Sequence, residues 1–426
     1  MSGIFGVFSK KKNVNVFPTI YSGLFALQHR GQDAMGVSLL ENEKLSEIKG
    51  RGLITDNIKN DNIDRLEGYV GLSHVRYPFA DDDKSLLPMP WLFYPKRNRE
   101  KNLIAIDGKF ISNCDPEKIC EILNGNIEEI KEFIGNLKGA YGILYAKEDK
   151  MIAIRDPYGI KPLCYGHKDD EIIVSSESCA IEAVGGKVDH FLKAGEIVVI
   201  DHKEIKTYAS KNYGYNPCIF EMVYTARPDS VIDGVSVYEA RLKMGEILYK
   251  EHPIKADIVV GSPDSGVIAA LGFAKASGIP YESAIVRNKY IGRTFILPTD
   301  DMRKKDIKIK LNPIREILRG KDVVLVDDSI VRGNTIKRVI EILKESGAGK
   351  IHIRIASPPV VESESMTFDV PEKSKLIASG RSVEEVRKII GADSLGYISL
   401  DGLHKACGDK VYYERCFGGS NPFKED

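Results

Sequence analysis

Two adjacent carboxylates followed by a hydroxyl-bearing, glycine-containing turn are the part of this chain best equipped for chemistry. They stand in Val323-Val-Leu-Val-Asp-Asp-Ser-Ile-Val-Arg-Gly-Asn-Thr335. The apolar run Val323 to Val326 predicts a parallel strand covered on both faces, and a helix should begin near Asn334 and Thr335. The turn between them therefore lies at a strand's carboxyl end. Backbone N–H groups of Ser329, Ile330, Val331, Arg332, Gly333, Asn334 and Thr335, with the helix N-terminus behind them, can cradle a phosphate monoester. Gly333 permits a turn that a β-carbon would obstruct. Asp327 and Asp328 suit a sugar diol or Mg²⁺, an ion that binds through one or two carboxylates plus phosphate oxygens. A second strand ends in Val260-Gly-Ser-Pro-Asp-Ser-Gly266.

Groups at strand ends need a parallel sheet to hold them, and the second half of the chain has the alternation that builds one. The pattern predicts a helix over 236–250, a strand over 257–261, a helix over 266–277, strands over 281–286 and 322–326, a helix over 335–346 and a strand over 351–356. Earlier residues read differently. Short β-rich segments such as Tyr69–Arg76, Leu103–Ile106 and Glu171–Val174 have few helices between them, one over 18–29 and others within 116–136, which is an antiparallel pattern. The 426 residues are thus expected to form two domains, 1–208 and 209–426.

Composition narrows the class. Lys plus Arg and Asp plus Glu both number 61, so no global field recruits nucleic acid or an acidic membrane. No apolar run approaches the roughly 18 residues of a membrane span, and no signal-peptide layout opens the chain, so a cytoplasmic protein is expected. Seven irregularly spaced cysteines argue for reduced thiols rather than a disulfide framework.

The thirteen residues from Val323 resemble the 5-phosphoribosyl-1-pyrophosphate (PRPP) loop of type I phosphoribosyltransferases, and the Ile-Val-Arg-Gly ending is similar to that of the glutamine PRPP amidotransferases. Asn288-Lys-Tyr-Ile-Gly-Arg-Thr-Phe-Ile296 resembles that family's catalytic flexible loop, and Leu27-Gln-His-Arg-Gly-Gln-Asp33 and Arg155-Asp-Pro-Tyr-Gly159 extend the likeness from Gly3 to about Gly419. The resemblance implies an α/β protein with an N-terminal-nucleophile (Ntn) hydrolase-like α+β glutaminase domain followed by a phosphoribosyltransferase domain. It implies that Asp327 and Asp328 hold the ribose hydroxyls and Mg²⁺, that Ser329 to Thr335 hold the 5-phosphate, and that Ser265 lies near metal and pyrophosphate. Arg287, Lys289, Tyr290 and Arg293 would act on the departing pyrophosphate, with Lys308 and Lys310 as further candidates. The implied reaction joins PRPP and ammonia, drawn from glutamine in the family, to give 5-phosphoribosylamine and pyrophosphate in purine synthesis. Purine nucleotides as feedback ligands and a homo-oligomer, dimer or tetramer, are implied too. The rival reading is a PRPP- or nucleotide-sensing regulator; retention of the flexible loop and the lack of a basic recognition region favour the enzyme.

Departures from the family fall on the first domain. Its nucleophilic cysteine is replaced by Ser2, which lacks partial thiolate character. The asparagine whose amide helps form the oxyanion hole is replaced by Asp107, beside Gly108; an ionised carboxylate has no donor to offer. Arg76 matches the glutamine-carboxylate ligand, Asp115 is the counterpart for the substrate amine, and Pro78-Phe-Ala-Asp81 replaces the usual Ser-Thr-Ala-Gly wall. A glutaminase that no longer works is the expectation. Cys218 and Cys416 match two of the four cluster ligands of the family's iron–sulfur branch, while Glu364 and Tyr413 stand at the others. A cubane cluster generally needs four thiolates, so none is expected unless Cys407 takes a ligand position.

Overall fold

The computed structural model describes residues 2–77, 88–96, 99–111, 114–288 and 311–423. Its first half stacks two antiparallel sheets. In chain order these use β1 (Ser2–Ser9), β2 (Ala34–Glu41), β3 (Lys44–Arg51), β4 (Val70–Arg76), β5 (Trp91–Phe93), β6 (Asn102–Phe110), β7 (Gly139–Lys147), β8 (Lys150–Arg155), β9 (Cys164–Lys168), β10 (Glu171–Ser175), β11 (Lys187–Phe191), β12 (Glu196–Asp201) and β13 (Ile205–Ala209). One sheet runs β11-β9-β10-β1-β4-β2-β3 and the other β13-β12-β8-β7-β6-β5.

Burial on both faces explains why β1 reads as nearly continuous apolar sequence. Ile4 and Phe8 join Leu72, Leu144 and Ala153 between the sheets. Phe5 and Val7 point the other way, against Ile20 and Leu24 of helix α1 (Phe17–Ala26). The second sheet is covered by helices α2 (Pro116–Leu123) and α3 (Ile127–Asn136), through Ile119, Leu123, Ile130 and Ile134. The result is a helix–sheet–sheet–helix sandwich in which central β1 carries the first residues of the chain to the edge of the core.

After a two-stranded ribbon, β14 (Val231–Ile232) and β15 (Val235–Ser236), the second half builds a parallel sheet in the order β16 (Ile258–Gly261), β19 (Val323–Asp327), β20 (Ile351–Ile355) and β21 (Ser394–Tyr397). Strand β19 is fully buried, as its unbroken apolar run requires. Among the helices here are α5 (Val237–Glu251), α6 (Val267–Ser277), α7 (Asn334–Glu345), α8 (Val383–Ile390) and α9 (Leu400–Ala406), with α4 (Ser178–Ala183) in the first half. On α7, Ile336, Val339, Ile340 and Leu343 recur at helical spacing and are buried.

The segment 281–286 departs from expectation. Tyr281 makes one parallel bridge to Val259, but Ile285–Arg287 (β17) pairs antiparallel with Leu311–Pro313 (β18), outside the parallel sheet. Polar Glu282 and Ser283 follow Pro280 and break the apolar run, so the chain leaves the sheet after one bridge. Strand β21 and helices α8 and α9 are further elements that the sequence reading did not anticipate. No helix among the described residues is long and apolar enough to cross a membrane.

Candidate functional site

Asp327 is the last residue of β19 and Asp328 the first beyond it, so both carboxylates stand at the carboxyl end of the sheet. They are mostly buried and their environments differ. Asp328 is fixed from two sides: the Ser265 hydroxyl donates to Oδ1 at 2.5 Å and the Ser329 hydroxyl to Oδ2 at 2.6 Å. Asp327 accepts the Asp328 backbone N–H at 3.0 Å. Burial, and then the neighbouring Asp328, push the Asp327 carboxyl well above the usual range. Two carboxylates and a hydroxyl form a hard-oxygen donor set, and their mutual repulsion is what a divalent cation or a pair of sugar hydroxyls relieves.

The turn that follows is shaped by Gly333, at φ +81°, where a Cβ would come within 2.4 Å of Ile377 Cδ1. The Ile377 N–H donates to the Val331 carbonyl at 2.9 Å, pinning the turn from outside before α7 begins at Asn334. Gly266 brings the second strand-end loop alongside, since a Cβ there would lie 2.4 Å from the Val326 carbonyl oxygen. That loop contains a cis peptide between Pro263 and Asp264, and Asp264 accepts from Arg287 Nη1 at 2.7 Å. Arg287 is thus tied to the loop that carries Ser265. Lys289, Tyr290, Arg293, Lys308 and Lys310 lie outside the described residues.

A second constellation forms around β1. Ser2 and Arg76 are partners in register across β1 and β4, and the Ser2 backbone N–H donates to Asp107 Oδ1 at 3.1 Å. Asp107 on β6 also meets Lys161 Nζ at 3.0 Å and Arg30 Nη2 at 3.4 Å. Burial alone would raise the Asp107 pKa, but Lys161 and Arg30 outweigh it and hold the carboxyl below its ordinary value. Arg30 in turn donates to the Ser2 carbonyl at 2.8 Å, to Glu177 at 2.6 Å and through both Nη atoms to Glu221 at 2.8 and 2.9 Å. Asp107 is therefore the counter-ion of a buried cluster. Gly108, at φ +116°, allows β6 to approach β7 so closely that a Cβ would sit 1.9 Å from the Ala140 carbonyl oxygen. Asp115 serves as the N-cap of α2, accepting from the Glu117 N–H at 2.9 Å. Residues 78–81 lie outside the described segments.

Sequence reasoning missed Lys161, Glu177 and Glu221 as members of this cluster, and Arg30 as its hub. Arg30 and Lys161 belong to or adjoin the quoted motifs, but nothing local says that each meets a carboxylate far along the chain.

Comparison with known proteins matches residues 71–183 to a glutamine amidotransferase domain and residues 241–357 to a phosphoribosyl transferase domain. The amidophosphoribosyltransferase of Methanocaldococcus jannaschii is 41% identical, the alignment covering 99% of this chain and 98% of that one. This chain belongs to the amidophosphoribosyltransferase family. The Bacillus subtilis member is 37% identical over 97% of this chain and 91% of its own. A solved structure of the Bacillus subtilis glutamine PRPP amidotransferase, complexed with ADP and GMP, superimposes with a TM-score of 0.86 at 36% identity, covering 98% of this chain and 94% of that one.

Within this family fold, the positions considered for cluster ligands are occupied by an oxygen-rich network. Tyr413 donates its hydroxyl to Glu364, which also accepts the N–H groups of Met366 and Thr367, the latter at 3.1 Å. Cys218 donates to the Thr367 hydroxyl at 3.4 Å, and burial pushes its thiol up to about 12. Among the described residues, no group of three or more His, Cys, Asp or Glu is arranged to hold a metal ion. Lys161 bridges this region and the Ser2 cluster, because its Nζ donates to the Thr367 carbonyl at 3.0 Å as well as to Asp107.

Proposed function

We propose that this amidophosphoribosyltransferase family member transfers the 5-phosphoribosyl group of PRPP to ammonia, releasing pyrophosphate, through a site built from Asp327, Asp328, Ser265, Arg287 and the turn Ser329–Thr335. The observation that carries this reading is the Asp327–Asp328 pair, one carboxylate fixed by two hydroxyls and the other buried beside it and accepting its N–H, next to a phosphate-sized turn. Asp327 and Asp328 would hold Mg²⁺ and the ribose hydroxyls; bound there, the ion would neutralise pyrophosphate charge. The N–H groups of the turn would fix the 5-phosphate and so orient C1. In the transfer, the C1–pyrophosphate bond breaks as the nitrogen lone pair bonds to C1. Arg287, with Lys289, Tyr290 and Arg293 as further candidates, would stabilise the charge that develops on the departing group. Residues 209–426 are assigned to this transferase unit and 1–208 to the glutaminase-like one. Purine nucleotide feedback and assembly into a homo-oligomer belong to the same proposal.

The nitrogen donor is proposed to be free or partner-delivered ammonia. Asp107 faces the Ser2 backbone as an ionised, doubly paired carboxylate, where acyl transfer needs a donor to an oxyanion. Steady-state pyrophosphate release with PRPP and Mg²⁺ tests both parts. Turnover with ammonium that far exceeds turnover with glutamine is the expected result. Equal rates would restore a working glutaminase, and no release with either donor would overturn the transferase reading.

A further inference from the structure

The two ends of the assigned PRPP site are built by different elements. The turn 329–335 would hold the 5-phosphate, whereas the loop 262–265, joined to Asp328 through Ser265, lies at the pyrophosphate end. A phosphate turn binds through several N–H groups at once, so its affinity depends on how firmly those groups are kept in place. From inside, Ile330 and Ile336 fix the turn in the core around β19. From outside, the Ile377 N–H donates to the Val331 carbonyl at 2.9 Å, and the Ile377 side chain closes over Gly333.

What holds Ile377 is a short return of the chain. The backbone turns over 378–381, with Gly380 at φ +68° and the Arg381 N–H donating to the Ala378 carbonyl at 3.3 Å. The Arg381 side chain then folds back, and its Nη1 donates to the Ile377 carbonyl at 3.1 Å and to the Leu376 carbonyl at 3.4 Å. The next residue, Ser382, is the N-cap of α8 and shares a capping box with Glu385. Helix α8 is seated by Val386 and Ile390 in the same core as Ile330, Ile336 and Ile377. A continuous path of bonds thus runs from the anchored start of α8 through the Arg381 guanidinium to Ile377, and from Ile377 to the phosphate turn. Arg381 is exposed and forms no ion pair among the described residues, so its side-chain hydrogen bonds all serve this path.

We propose that Arg381 is a positioning residue for phosphoribosyl recognition: it braces Ile377, and through Ile377 the turn, at the 5-phosphate end of the site. This rests on the assignment of the PRPP site above. A brace on the turn has a signature that a general contribution to folding lacks. Among the described residues, Arg381 bonds to no part of the loop 262–265. Its loss should therefore weaken ligands that carry a 5-phosphate and spare those that engage the pyrophosphate end.

Calorimetry with full-length protein reads both ends, using ribose 5-phosphate as one probe and magnesium pyrophosphate as the other. Arg381→Ala, a truncation at the surface, should weaken ribose 5-phosphate binding by on the order of tenfold, the loss of a hydrogen bond from a charged donor, and leave pyrophosphate affinity within about twofold. Arg381→Lys keeps a charged donor for the two carbonyls and should retain most of the ribose 5-phosphate affinity. Unchanged ribose 5-phosphate binding in Arg381→Ala, or equal losses for the two probes, would overturn the proposal. So would an Arg381→Lys variant that folds with wild-type stability yet loses ribose 5-phosphate affinity by the same order, which keeps the test decisive if Arg381→Ala does not fold. Failure of the wild type to bind ribose 5-phosphate would instead overturn the site assignment itself.

Discussion

Replacing Asp107 by asparagine should damage the fold. The side chain is 1% exposed and its main cation, Lys161, is fully buried, so solvent screens neither. Asparagine can still accept from the Ser2 N–H, and Arg30 keeps Glu177 and Glu221. The loss is one of charge: the amide oxygen at the Oδ1 position can still accept from Lys161, but the buried ammonium would have no anionic partner, and the amide N–H₂ would face the Arg30 guanidinium at the Oδ2 position. Orphaning one member of a buried pair costs about 3–5 kcal/mol, a large part of a domain's ordinary stability. Urea unfolding followed by the fluorescence of Trp91, the single tryptophan, suits the measurement, because β5 pairs directly with the strand that carries Asp107. In the Asp107→Asn background, Lys161→Met removes the stranded charge and should recover most of the loss, giving a strongly non-additive double-mutant cycle. An Asp107→Asn loss below about 1 kcal/mol, or single losses that simply add, would refute this reasoning. The same argument bears on repairing glutaminase chemistry: Ser2→Cys with Asp107→Asn should gain little until position 161 is also made neutral.

Other outcomes follow from separate parts of the molecule. Gly333→Ala places a methyl group at φ +81° and 2.4 Å from Ile377, and the strain of about 1–3 kcal/mol should appear as weaker PRPP binding by calorimetry; unchanged affinity would reject the phosphate turn. His74 is fully buried, and burial pulls its pKa from 6.5 down to about 4. It is neutral in the fold, so its contribution is complete above pH 6.5 and is lost as pH falls through that value toward about 4, by about 3 kcal/mol. Asp156, which burial pushes up to about 6, works in the opposite sense across an overlapping range. The stability difference between wild type and His74→Gln therefore isolates the histidine, and a difference that does not vary with pH would contradict its burial as a neutral ring. Iron and sulfide analysis of anaerobically purified protein should find no cluster; stoichiometric iron would mean that Cys218 and Cys416 have partners other than Glu364 and Tyr413.

Legibility followed sequence distance. The β19 turn could be read because strand, acidic pair, glycine and helix start are contiguous, so local rules specify where each group points. Helix α7 was legible from the spacing of Ile336, Val339, Ile340 and Leu343. The segment 281–286 was not, because a short apolar run reads alike whether it joins a parallel sheet or turns away after one bridge. Least visible was the Asp107 cluster. Lys161 reaches the Thr367 carbonyl across 206 positions and Arg30 reaches Glu221 across 191, and no propensity or period encodes such meetings. The sequence marked Asp107 as a defect in one chemistry, whereas its surroundings give it another occupation.

Among the described residues, three buried cations that cross between the halves also bear on how the gene can change. Arg30 holds Glu221, Arg155 meets Asp233 at 2.6 Å, and Lys161 caps the Thr367 carbonyl. Truncation to residues 209–426 would open two carboxylates and a carbonyl to water, which can solvate them, and would uncover the apolar surface that Ala140, Tyr158 and Ile160 now share with Cys218, Phe220 and Phe368. Deletion would thus leave an apolar face on the remaining half even if glutamine chemistry has lapsed. The first half would persist as an inherited scaffold, free to drift at its reactive positions so long as its interior charges still match.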